Sequence, residues 1–576
     1  MGIPLWRVIN HERLAAGTQD FPNQALRDYA IHGVQFGLDD TATFPDLEPC
    51  VLPNSATRLV DPEAVSTEVA KEVATQRFWP LCKTEDIQRY DRARTWPLGL
   101  TKKKTYFGPQ KWRGTTNLSK SWQGAPSLNE CMPREKLAVQ YINPLDCAAA
   151  ISHFGDKAGF NKFDLTAACR HCGMRVDQLC RHMIEWEGTV HVDRCLCFGG
   201  TNGPFQFTAI MCLLAHIIQK EMNRRFGNGN VIVLFLLDDL ATVCRTVQMA
   251  EAAFPICIAI YEELGFDVNG EKSAKAQTKD EWLGLEFDVP RLLFRLPPDK
   301  FERYLEDVAR AISSKNSSLK QLEILGGRLN YACYVWPEMR AYLHELWRMK
   351  AKLDGFETRT HRITPRFRED MEACKWFFLH GPDRPIRHYT TQDPTIDHPI
   401  DPGTDCTAIV GDASGNMGYG FFSTSGHYAH KGWDLSTHFP HDKDVSLLSR
   451  EDNSTYVETY CMVSAVLTEI QQGFANGKLA YYTDSRNTAT NWVMRRSPTR
   501  VINDLLRCLM PTLLTNNVEL DVRWRHRADT YQKIADDLSR NTDPTTLQGL
   551  WAYFPHATTT VTPVSIRPGM AAFHTP

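Results

Sequence analysis

Seven consecutive apolar residues, VIVLFLL at 231–237, run directly into two acids, Asp238 and Asp239. The run follows a GNGN turn at 227–230 and reads as a buried strand. LATVCRT, beginning at Leu240, reads as the strand that returns from the turn. The two charges therefore emerge at the tip of a hairpin whose body is driven into a core, where burying them without a partner or metal is costly. Taken alone the dipeptide is more often an ordinary hairpin turn, and Asp39–Asp40 and Asp536–Asp537 repeat it elsewhere. Its context raises the alternative that the acids serve chemistry.

The rest of the chain is of ordinary globular composition. Of 576 residues, 43% are hydrophobic and 23% charged, which excludes a disordered, collagen-like or coiled-coil chain. The 231–237 run is far short of the ~20 residues a spanning helix needs. The start, MGIPLWRVINHERL, has no basic region followed by an apolar stretch, and Trp6 breaks the myristoylation pattern. Seventeen cysteines, an odd number spread along the chain, read as reduced thiols. The expectation is an intracellular protein, cytoplasmic or nuclear, neither secreted nor membrane-bound. The net charge of −3 hides two basic stretches. One holds Lys102, Lys103, Lys104, Lys111, Arg113, Lys120, Arg134 and Lys136; the other holds Arg340, Arg348, Lys350, Lys352, Arg359, Arg362, Arg366 and Arg368. Each is either a solvated face or a surface for phosphates.

Nucleotidyl transfer uses two divalent metals ~3.5–4 Å apart, and such hard cations want carboxylate oxygens. Asp164, at the end of a strand, joins Asp238 and Asp239 as candidates. A second set follows the Pro-, Asp- and Thr-rich stretch at 381–404. There Asp412 ends a strand, Glu458 falls in the first turn of an amphipathic helix, Asp484 ends another strand and Asp536 lies in a final helix. Singly, each has an ordinary reading as a cap, turn or solvated charge.

In order along the chain, KWRGTTNLSKSWQGAPSLNE (111–130), KFDLTAACR (162–170), CFGGTNGPFQF (197–207), FLLDDL (235–240), LGFDVNGEKS (264–273), WLGLEFD (282–288) and LEILGGRLNYACYVWPEMRAYLHEL (322–346) resemble the fingers, palm and thumb motifs of reverse transcriptases. The wording is most similar to DIRS-like and gypsy-like retrotransposons and covers about residues 25–352. GDASGNMGYGFF, YVETYCMVSAVL, YYTDSRN and WRHRADTYQKIADDLSR resemble the ribonuclease H domain that follows the polymerase in such elements. There, His526 lies ten residues before Asp536, as in the family.

The resemblance implies an α/β (α+β) protein: a right-hand polymerase followed by a ribonuclease H-like domain with a mixed five-stranded sheet. It divides the chain into an N-terminal extension (1–90), fingers and palm (91–298), thumb or connection helices (299–380), a linker (381–404), the ribonuclease H-like domain (405–545) and a disordered tail (546–576). It implies that Asp164, Asp238 and Asp239 in one site, and Asp412, Glu458, Asp484 and Asp536 in the other, each hold two Mg2+ or Mn2+ ions, with His526 assisting in the second. It places Lys102, Lys103 or Lys104, with Arg113, on the incoming triphosphate, Gly199 and Pro204 beside the nascent base pair, and Lys272 near the leaving pyrophosphate. The implied activity is RNA-directed DNA synthesis with cleavage of RNA in the hybrid, and the implied partners are an RNA template, a DNA primer, the RNA–DNA hybrid and dNTPs. Two departures stand out. Leu236 occupies the aromatic first position of the Y-x-D-D motif, and Cys169 occupies the position of the aromatic that blocks the ribose 2′-hydroxyl. They admit a second reading, a catalytically decayed descendant that keeps an RNA-binding surface.

Overall fold

The computed structural model describes residues 2–102, 112–356, 358–386, 396–397, 406–434, 450–540, 559–564 and 566. The chain is an α/β protein that folds as two compact units. One runs to Leu283 and regains Phe287–Leu292; the other holds Leu293–Pro385 and the chain after 389. Among the described residues, no helix is long and apolar enough to cross a membrane.

In the first unit, helix α1 (Pro62–Ala74) precedes the hairpin of β1 (Leu98–Lys102) and β2 (Trp112–Thr116). The central sheet follows. It is built from β3 (Gly159–Phe163), β4 (Val231–Leu236), β5 (Asp239–Cys244) and β6 (Ala274–Gln277), in the order β4-β5-β3-β6 and antiparallel throughout. Two helices supply its apolar cover. Helix α2 (Gly203–Phe226) carries Pro204 in its first turn, where a missing N–H costs nothing. Helix α3 (Val247–Leu264) starts where the Thr246 hydroxyl accepts the Met249 N–H at 3.2 Å and stops at Gly265, φ 83°. Ile210, Leu213, Leu214 and Ile218 of α2 and Tyr261 of α3 are buried in one core with Phe163 and Leu240. The N-terminal extension does not stand apart. Ile3, Ile9, Leu14 and Leu38 are buried in that same core, and Leu38 exchanges backbone bonds with Gly173 and Arg175 at 2.8 and 3.0 Å.

In the second unit, helix α4 (Pro365–His380) is one of the helices between residues 298 and 380. The sheet that follows is mixed. Strands β7 (Thr407–Ala413), β8 (Gly418–Ser423) and β9 (His427–Gly432) are antiparallel, and β10 (Lys478–Thr483) and β11 (Glu519–Trp524) run parallel to β7. Helices α5 (Arg450–Gln471), α6 (Arg500–Thr515) and α7 (Thr530–Arg540) accompany it. The helices of 299–380 fold together with this sheet. Asn503 of α6 donates to the Ala341 carbonyl at 2.5 Å, and Arg507 pairs with buried Asp370 of α4 at 2.9 Å.

Two expectations change here. Part of the tail read as disordered is placed: β12 (Thr559–Thr560) adds a sixth strand parallel to β9, and Val561 and Ile566 are buried. Ser464 and Tyr460 of α5 hold the backbone of Val564 and Ile566 at 2.7 and 2.9 Å. A threonine-rich tail hides this, because backbone pairing needs no apolar pattern. The basic stretch 340–368 is also partly internal: Arg348 pairs with Glu345, Arg366 with Asp504, and Arg368 donates to the Ile312 and Ser314 carbonyls. Most of the 381–404 linker lies outside the described residues.

Gly420 of β8 is where α7 meets the sheet. A Cβ there would lie 2.6 Å from the Leu538 Cβ. Overpacking of that kind costs about 1–3 kcal/mol. Gly420→Val is expected to lower the thermal midpoint of the second unit by several degrees while leaving the unfolding of the first unaltered; differential scanning calorimetry checks it.

Two candidate carboxylate sites

Sheet register builds the first site. Leu236 pairs with Asp239 across the β4–β5 hairpin, and Leu240 pairs with Phe163, the last residue of β3. Asp164 therefore leaves its strand beside the turn that carries Asp238 and Asp239. Leu237 closes that turn at φ 53°, a left-handed conformation that strains a non-glycine residue. Burial, and then the neighbouring Asp238 and Asp164 charges, push the Asp239 carboxyl up to about 6. Lys272 answers the Asp164 charge, with Nζ 3.1 and 3.4 Å from its two oxygens. The Asp164 backbone is held on both sides: its N–H donates to the Ser273 hydroxyl at 3.1 Å, and its carbonyl accepts from the Asn269 N–H at 2.8 Å.

Asp164, Asp238, Lys272 and Asn269 line a cleft of about 560 Å3 that also presents Phe198, Thr116, Lys71 and Arg77. Burial, and then the Asp238 charge, push the Cys169 thiol up to about 12, so Cys169 sits beside the acids. Gly199, at φ 98°, follows the cleft-lining Phe198, and Pro204 lies six residues beyond it; neither lines the cleft itself. Lys102 is exposed at the end of β1, with Nζ 5.8 Å from the Trp112 ring centroid. Arg113 stands in β2 opposite Thr101. Its side chain, and Lys103 and Lys104 entirely, lie outside the described residues.

Sequence reasoning missed the cleft wall. Helix α1 supplies Lys71 and Glu72. Buried Arg170 binds Glu72 through Nη2 and Asp193 through Nη1, both at 2.8 Å, tying that wall to the floor. No spacing rule predicts a pair between residues 98 positions apart.

The second site also follows from register. Val410 of β7 pairs with Tyr482 of parallel β10, so Asp412 and Asp484, two residues further on, come out at the same end of adjacent strands. Glu458 reaches them from α5. That helix starts at Arg450, so Glu458 lies in its third turn and not in the first; the polar run REDNST is helical rather than a cap. Ligand oxygens of Asp412, Glu458 and Asp484 all lie within 4.8 Å of one another, the one such trio of acidic, His or Cys side chains among the described residues. Asp164, Asp238 and Asp239 do not close to that distance. Asp536 stands beside the trio on α7, where Arg527 and Arg540 hold it at 3.1 and 2.7 Å. Arg527 Nε also comes within 3.8 Å of Asp484.

Burial, followed by Asp484 and Asp536, pushes the Asp412 carboxyl up to about 7. Burial, followed by Asp412 and Asp484, drives Glu458 well above the usual range. Asp484 is also raised, by burial. Hydrogen bonds aim these groups: Ser539 donates to Asp412 at 2.9 Å, and the Ala413 N–H and Thr483 hydroxyl donate to Glu458 at 3.2 and 3.4 Å. His526 follows β11; its N–H donates to Asp397 and its Nδ1 accepts from Ala528 N–H, both at 3.1 Å. Three carboxylates held this close, two of them buried, repel unless protonated or neutralised by a cation. A hard divalent ion satisfies an all-oxygen set of this kind, so the donor chemistry fits the metals expected.

No family model and no curated protein matches the sequence. Among solved structures, the chain is similar to the foamy viral protease-reverse transcriptase dRH in complex with double-stranded DNA, at 13% identity, 91% of this chain, 83% of that chain and TM-score 0.47. It is similar to the same protease-reverse transcriptase in complex with an RNA/DNA hybrid, at 13% identity, 91% of this chain, 64% of that chain and TM-score 0.46. A further structure, with double-stranded DNA, matches at 12% identity, 91% of this chain, 99% of that chain and TM-score 0.47.

The raised carboxyl at Asp412 gives a pH prediction with a definite sign. The folded state binds this proton more tightly than the unfolded chain, so the associated stability is complete below about pH 4 and is lost as pH rises through about 7. The metal-free protein is expected to lose a few degrees of thermal midpoint between pH 5 and pH 8. Mg2+ is expected to restore more at pH 8 than at pH 5. Asp412→Asn should flatten the pH dependence and abolish the Mg2+ increment; differential scanning fluorimetry with and without chelator measures all three.

Proposed function

We propose that the chain is a retrotransposon RNA-directed DNA polymerase with an associated ribonuclease H activity. The observation that carries this reading is the pairing of two carboxylate sites in one chain: an acid-bearing antiparallel hairpin in a cation-lined cleft, and a close acidic trio, two of its members buried, at the parallel end of a mixed sheet. Asp164, Asp238 and Asp239 would hold Mg2+ or Mn2+ in the first, and Asp412, Glu458, Asp484 and Asp536 in the second. Bound there, such ions lower the pKa of an attacking oxygen and offset charge at phosphorus.

The chain's own residues do the rest. Lys272 and Arg113, with Lys102, Lys103 or Lys104, bind and orient the triphosphate of a dNTP, a task suited to fixed cations. Lys272, which compensates Asp164 in this structure, would be free to contact phosphate oxygens if Asp164 held a metal ion. Arg170, by fixing Glu72 and Asp193, keeps the cleft wall in place. In the second site Ser539 and the Ala413 N–H fix the oxygens of Asp412 and Glu458. Arg527 and Arg540 hold Asp536 beside the trio and attract the hybrid's backbone, and His526 assists product departure. The RNA template and DNA primer are gripped by charge, so binding falls steeply with salt.

A decayed, RNA-holding descendant is the second reading. Leu236 and Cys169 favour it; the retained acids of both sites favour the enzyme. Primer extension on an RNA template separates them. Wild type should extend, and Asp238→Asn should lose about 10³-fold, the loss of ~4 kcal/mol of metal-derived stabilisation. Equal silence of both across templates and metals supports the decayed reading. Hybrid cleavage with Asp412→Asn tests the second site separately. Cys169 also leaves room where an aromatic would exclude a ribose hydroxyl. dNTPs and rNTPs should be used with similar efficiency, and Cys169→Tyr should restore at least a roughly tenfold preference for dNTPs.

A further inference from the structure

We propose that Asn129 is a positioning residue for the first site, clamping the Phe198–Asn202 loop so that Phe198 stands fixed in the cleft opposite the acids. The inference rests on the polymerase reading and goes beyond it: the fingers resemblance over 111–130 includes Asn129 but gives it no role.

Phe198 is a large apolar side chain, 48% exposed, in the cleft lined by Asp164 and Asp238. Its loop has little backbone bonding of its own: Gly200 N–H to Cys197 at 3.4 Å and Gly203 N–H to Gly200 at 3.1 Å. The buried Asn129 amide supplies what is missing. Its Nδ2 donates to the Gly199 carbonyl and to the Ser119 hydroxyl, and its Oδ1 accepts from the Thr201 N–H, all at 2.8 Å. Both amide hydrogens and the oxygen are thus committed, and a flipped amide would set donor against donor. Gly199 turns at φ 98°, and a Cβ there would lie 3.3 Å from the Thr116 carbonyl at the end of β2. The far end of the loop is held as well: buried Asn202 donates to the Asp40 carbonyl at 3.1 Å, and Asp40 is itself buried against Arg181 at 3.1 Å. Asn129 therefore couples three segments, the exit of the β2 strand that carries Arg113, the loop bearing Phe198, and its own turn. A nucleotide in the cleft would meet a loop held at its near end by the Asn129 amide and at its far end by Asn202.

Asn129→Asp keeps the size and removes both donors. The expected result in primer extension is a rise of about tenfold in KM for the nucleotide, with kcat and the KM for primer–template within about twofold. Thermal unfolding should stay cooperative, with a midpoint lowered by only a few degrees, and hybrid cleavage should be unchanged. In a Phe198→Ala background, Asn129→Asp should add nothing further, because it acts through that ring. Asn129→Ser, which keeps one hydroxyl, should recover part of the loss. A nucleotide KM within twofold of an active wild type overturns the proposal, as do additive effects with Phe198→Ala. Unfolding of both the Asp and Ser forms would make Asn129 purely structural and also overturn it. A wild type that extends no primer fails the polymerase reading instead.

Discussion

Carboxylates packed against carboxylates, away from water, are the constraint on which this structure turns. Asp412, Glu458 and Asp484 share a space of less than 5 Å, and two of the three are buried. Left ionised and unpaired, such groups are costly; their raised proton affinities express that cost. The fold tolerates it because each acid is fixed by a different element. Parallel register aligns Asp412 with Asp484, α5 brings Glu458, and Ser539 on α7 steadies Asp412. The same logic, in a milder form, governs Asp164, Asp238 and Asp239. There the strands are antiparallel, Lys272 relieves one charge, and the acids stand less close. Repulsion of this kind, kept in place by the scaffold, is what a bound divalent cation would relieve.

Much of this was legible from the residues. An apolar strand ending in two acids announces itself, because hydrophobic burial fixes the strand and leaves the charges no exit but the tip. The ends of α3, capped by Thr246 and stopped at left-handed Gly265, are local chemistry. Asp412 and Asp484 were legible as strand ends for the same reason. Convergence was not, since it depends on register between segments dozens of residues apart.

What escaped the sequence is mostly polar and long-range. Arg170 with Glu72, Arg527 with Asp484 and Asp536, and Asn129 with Gly199 and Thr201 are bonds between groups with no periodic signature. The N-terminal extension has scattered apolar residues and no periodic signature, yet Ile3 and Leu14 are core. Two residues of the tail were read as unstructured because edge pairing of Thr559–Thr560 rests on backbone alone. Glu458 was misplaced by two turns since a run of Asp, Asn and Ser mimics a cap.

Anomalous diffraction from crystals soaked in Mn2+ tests the central claim most directly. The account predicts manganese peaks bridged by Asp412, Glu458 and Asp484, and a second group between Asp164 and the Asp238 turn with Lys272 moved off Asp164. Saturating manganese with no peak at either place, or with peaks only on scattered surface acids, would contradict it.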